Sequence, residues 1–115
     1  MTDRIPVTRR FDVGSDSTGQ WWGSLYVIEP NVVGVVSDAG NFLATAQPAK
    51  GETMLAFVAR VEADSLAHRL TREVEGRGSR ALSIERLRRV LPRLLPLVVA
   101  AHQVAQTRDV PQVTP

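Results

Sequence analysis

The sequence predicts an α+β fold: a four-stranded antiparallel meander followed by a long αα-hairpin packed on one sheet face. Three observations carry that prediction. Residues 5–47 are rich in alternating and β-branched apolar residues, punctuated by Gly, Pro, Asn and Asp. After Pro48 the apolar period lengthens from two to between three and five residues. The chain has 115 residues, which suits one domain with a single modest core.

The strands follow in order. "IPVTRRFDV", 5–13, places Ile5, Val7, Phe11 and Val13 on one face, with Arg9 the exception on that face. Pro6 suits an edge position. "GSDSTG", 14–19, is a loop of small polar residues. "QWWGSLYVIE", 20–29, is aromatic and β-branched, with Gly23 marking a bulge. Pro30 and Asn31 form a tight turn. "VVGVVS", 32–37, is nearly all apolar and reads as a central strand covered on both faces. "DAGN" is a hairpin loop in which Gly40 can take positive φ, and "FLATAQ", 42–47, is the fourth strand.

Two helices are predicted after the sheet. Over 52–75, Met54, Val58, Val61, Leu66, Leu70 and Val74 recur, Arg60–Asp64 and Arg69–Glu73 are i,i+4 ion pairs, and Gly76 ends the helix. Over 83–107, Ser83 is the N-cap and Leu82 with Leu87 forms a hydrophobic staple. Pro92 and Pro96 predict a kink, or a break with Pro92 opening a second segment. The single domain spans 5–107, with flexible ends at 1–4 and 108–115.

Composition narrows the function classes. The chain is 43% hydrophobic and 23% charged with a net charge of +2, ordinary values for a globular protein. Thirteen of its fourteen basic residues are Arg, so the high isoelectric point reflects few groups that titrate in the alkaline range rather than a large cationic excess. Without cysteine, disulfides, thiolate metal sites and cysteine nucleophiles are excluded. The N-terminus lacks an apolar signal core, and no stretch approaches the ~18 apolar residues of a membrane span. These features predict a cytoplasmic protein that does not enter membranes.

Candidate functional residues fall into three groups. Ile84, Leu87, Leu91, Leu94, Val98, Ala101 and Ala105 are spaced alternately three and four apart, as in a coiled-coil seam. Two helices of some 24 residues overhang a sheet of six-residue strands, so the seam is expected to pair with a second copy through Leu87, Leu91, Leu94 and Val98. Trp21, Trp22 and Tyr26 are candidate partner-binding residues, Trp21 and Trp22 pointing to opposite sheet faces. Arg86, Arg89 and Arg93, with Arg77 and Arg80, form a candidate phosphate-contacting group. No aromatic residue interleaves the helical arginines to stack a base, which favours a solvated face.

Catalytic signatures are weak. "GSDSTGQ" has the glycine spacing of a phosphate-binding loop but carries Gln20 and Trp21 where Lys and Ser or Thr belong. No serine sits in a G-x-S-x-G elbow. His68 and His102 are too far apart along an antiparallel hairpin to share a metal, and Asp64–His68 reads as an i,i+4 surface contact. The sequence therefore predicts a homodimeric, non-catalytic interaction or assembly module without cofactor or metal. Its alternative is a small DNA-binding regulator using the Arg-rich helix face.

Overall fold

An antiparallel meander, its second and third hairpins closed by short turns, leaves one face for the helices that follow. The structure, a computed structural model, describes residues 8–109, and only the backbone of 107–109. Strands β1 (Thr8–Val13), β2 (Gly23–Ile28), β3 (Val32–Ser37) and β4 (Gly40–Thr45) pair in the order β1-β2-β3-β4. Helices α1 (Met54–Arg60), α2 (Ala63–Leu70) and α3 (Arg77–Asp109) follow. The α+β class and the sheet-then-helices order are those the sequence predicts. The predicted start of β1 at 5–7 and the ends 1–4 and 110–115 lie outside the described residues.

Each turn has a physical origin. Asp38 and Ala39 close the β3–β4 hairpin, and Gly40 takes φ 123°, which a side chain resists. The buried Ser37 hydroxyl donates to the Gly40 carbonyl and accepts from the Ala39 N–H, so the tight turn leaves no orphan group there. The β2–β3 turn runs through Glu29, Pro30 and Asn31, with a cis Glu29–Pro30 bond.

Gly23 is not a bulge. It stands in regular register opposite Val13 and Ser37. A Cβ there would lie 3.0 Å from the Ser37 Cβ and 3.1 Å from Val90 Cγ2 of α3. Its role is to let the helix approach the sheet closely.

The predicted helix 52–75 divides in two. Val61 and Glu62 are extended, with ψ near 144° and 147°. The five-residue step from Val61 to Leu66 is the cause visible in the sequence, because at 100° per residue it swings the apolar face away from the line set by Met54 and Val58. Breaking the helix restores both Val58 and Leu66 to the core. It also redirects the expected ion pairs. Arg60 pairs with Glu52 at 2.7 Å instead of Asp64, and Arg69 lies over the Phe57 ring at 5.4 Å instead of reaching Glu73. Asp64 pairs with Arg88 of α3 at 2.7 Å and with His68 at 3.5 Å.

Helix α3 starts six residues before the predicted Ser83 cap and runs on through both prolines. Its first turn follows Gly76, at φ 86°, and closes with Arg80 N–H donating to the Gly76 carbonyl. Pro92 and Pro96 each remove one intrahelical donor, freeing the carbonyls of Arg88 and Pro92. Both prolines are exposed, so water can take up the freed acceptors. That orientation is what keeps the helix whole.

The core lies between the inner sheet face and the three helices. Leu25, Val27, Val33 and Val35 supply the sheet side. Met54, Val58, Leu66 and Leu70 supply the short helices, and Leu87, Val90, Leu91, Leu94 and Val98 run down α3 between them. Thr71, buried at the end of α2, donates its hydroxyl to the Ala67 carbonyl at 2.8 Å.

Candidate interaction surface

The seam expected to join two copies is enclosed within one. Leu87, Leu91, Leu94 and Val98 are each 0% exposed. They cannot meet a second copy while the chain is folded this way, and that residue assignment is corrected. The expected overhang does not arise, because two short helices, divided at 61–62, both pack on α3 in place of one straight helix. Among the described residues, the large apolar side chains that α3 does expose are Leu82, Leu97 and Val104.

The opposite face of the sheet is open. Strand alternation puts Thr8, Arg10 and Asp12 of β1 on it, beside Ser24, Tyr26 and Ile28 of β2. Val32, Gly34 and Val36 of β3 and Asn41, Leu43 and Thr45 of β4 continue it. Leu43 is 67% exposed and Val36 42% exposed. Between Tyr26 and Leu43 the missing side chain of Gly34 leaves a shallow apolar hollow of about 260 Å³. Leu43 leans over its rim, its Cδ1 3.2 Å from where a Cβ on Gly34 would stand.

The charged margin of this face is internally balanced. Arg10 Nε donates to Asp12 at 2.8 Å, and the Arg10 guanidinium lies 5.8 Å from the Tyr26 ring centre. Asp12 also accepts from the Ser24 hydroxyl. The Ser24 bond first, and the Arg10 bond next, hold the Asp12 carboxyl below its ordinary range. No other charged residue of β1–β4 lies on this face.

Trp21 and Trp22 precede β2 and do not alternate across the sheet as predicted. Trp21 adopts φ 61°, a left-handed conformation costly for a bulky residue. Three contacts hold it there. Its N–H donates to Asp38 at 2.6 Å, its carbonyl accepts from Arg93 at 2.7 Å, and Arg89 lies 5.2 Å from its ring centre. Arg93 also donates to the Gly14 carbonyl at 2.9 Å. Within the same loop, Asp16 accepts from the N–H groups of Thr18 and Gln20 and from the Thr18 hydroxyl. Trp22 is 42% exposed, and Tyr26 sits on the open sheet face.

The arginine group is thereby divided. Arg89 and Arg93 fasten the 14–22 loop to α3, and Arg80 donates to the carbonyls of Arg72 and Val74, closing the α2–α3 connection. Arg77 and Arg86 are exposed. Among the described residues there is no group of three or more His, Asp or Glu side chains placed to hold a metal ion. No described helix is long and apolar enough to cross a membrane.

The open face was half legible. The apolar run Val32–Val36 signals a strand covered on both faces, and the described residues cover only one. No protein-family model, curated protein or solved structure matches the chain.

Proposed function

We propose that the chain is a non-catalytic assembly module that self-associates through the outer face of its sheet. The supporting observation is Leu43, two-thirds exposed beside Val36 and Tyr26 on a face whose central strand has the composition of one buried on both sides. A second copy suits this face better than a charged partner. Arg10 and Asp12 cancel within it, so an identical face brings no net charge against it. Two such faces stack as in a β-sandwich, with the helices outward.

The size of the face sets the strength. Four six-residue strands cover roughly 20 by 19 Å, or about 400 Å² per copy. Some 800 Å² in total falls below the ~1,200 Å² lower bound of standard interfaces, so association is weak and reversible. Sedimentation velocity across the micromolar to millimolar range tests it. The mass should rise from one copy to two, and Leu43→Glu should hold the chain at one copy with an unchanged circular dichroism spectrum. A chain monomeric throughout, or a Leu43→Glu variant that dimerises as well, would overturn the proposal.

The nucleic-acid reading draws less support. Arg80, Arg89 and Arg93 direct hydrogen bonds or ring contacts at their own chain, leaving Arg77 and Arg86 to meet phosphate.

A further inference from the structure

On the helical side of the molecule, away from the open sheet face, a cleft of about 510 Å³ lies between β1, the 49–53 turn, the start of α1 and the last turns of α3. That volume falls within the range of small-ligand sites. Its apolar wall is built from Leu55, Ala56 and Ala105. Its polar rim holds Arg9, Glu29, Glu52 and His102.

The hydrogen-bonding capacity of that rim is lopsided. Glu29 places one carboxylate oxygen 2.6 Å from the Met54 N–H and the other 3.0 Å from the Leu55 N–H. Glu52 is engaged by Arg60 at 2.7 and 3.0 Å and by the Ala49 N–H at 3.1 Å. The Arg60 hydrogen bond is the main cause of its lowered pKa, and nearby His102 adds to the effect. Both acids are thus satisfied within the chain. Arg9 and His102 make no hydrogen bond among the described residues.

Arg9 is also misplaced by the logic of its strand. It alternates with Phe11 and Val13, both packed against the core, so it occupies a core-side position that apolar residues fill elsewhere on β1. An exposed arginine on the inner face of an edge strand, lining a cleft with an apolar wall, keeps its guanidinium free to meet an anionic ligand.

We infer that this cleft binds a small monocarboxylate with a short apolar body. Arg9 donates to the carboxylate, His102 donates a ring N–H, and the hydrocarbon lies on Leu55, Ala56 and Ala105. Glu29 and Glu52 flank the position and disfavour a dianion such as phosphate.

Titration of the full chain with hexanoate, followed calorimetrically and by amide chemical shifts, tests the inference. Hexanoate should bind saturably in the millimolar range or tighter, moving the amides of residues 51–56 and 102–106. Neutral 1-hexanol should bind at least about tenfold more weakly, because it lacks the charge-assisted bond. Arg9→Gln should weaken hexanoate by a similar factor, and Arg10→Gln, on the opposite face of the same strand, should leave it unchanged. Absence of saturable binding, equal affinity for hexanol, tighter binding of inorganic phosphate, or full affinity in Arg9→Gln would each overturn it. Leu43→Glu should bind hexanoate like the parent, which separates this site from the proposed association face.

Discussion

The leucine stripe of α3 and the outer face of the sheet are both apolar, yet they end in opposite environments. The stripe carries the stronger sequence signal and is wholly enclosed: Leu87, Leu91, Leu94 and Val98 expose nothing. The outer face carries a fainter one, scattered over three strands, and leaves Leu43 mostly in water. A helix with sheet on one side and two helices on another needs a wide apolar stripe, so width signals internal partners rather than a second copy. An antiparallel sheet needs apolar residues on one face only, so apolar residues on both are the feature on which the proposed self-association rests.

Truncating each surface sharpens the contrast. Leu91→Ala removes a fully buried side chain and should cost about 2–5 kcal/mol in urea unfolding. Leu43→Ala should change the stability of the monomer by about 0.5 kcal/mol or less, because its side chain is already solvated. Comparable losses at the two positions would break the distinction.

A smaller effect is expected from acid. The Ser24 and Arg10 hydrogen bonds lower the folded pKa of Asp12, so the carboxylate stays charged somewhat below the ordinary range near ~4. Its contribution to stability is present above that range and is lost as pH falls through the lowered pKa. Protonation also leaves Arg10 uncompensated on each copy. Self-association should therefore hold steady down to about pH 4 and weaken below it, while circular dichroism reports the fold intact. Association that strengthens on acidification would contradict the balanced-charge argument. Asp12 is exposed, so the change should be modest.

Much of the fold was legible because its signals are local. The four strands are set by alternating or β-branched apolar residues between turn residues, and Gly40 marks the β3–β4 hairpin by its positive φ. The division at Val61–Glu62 was written in one five-residue step, but choosing a break over a bent helix depends on how the two halves pack against α3. The start of α3 was misread because Ser83 has the chemistry of a cap, while Gly76 and the Arg80 bonds settle the connection upstream. The surfaces were harder. Whether the stripe meets its own chain or another is decided by tertiary packing, which spacing alone does not encode. Arg9 was visible as an exception to alternation, whereas Glu29 gave no local sign that it would hold the start of α1 across 25 residues.

The central claim is that a single chain shields the α3 stripe. Amide hydrogen exchange along residues 87–98, followed as the protein is diluted until only monomer remains, tests it most directly. In the monomer, exchange there should stay as slow as global unfolding allows and match that of the buried strand residues Leu25, Val27, Val33 and Val35. Protection that is lost along 87–98 in the monomer while those strand amides keep theirs would mean that a second copy covers the stripe, and would contradict the account.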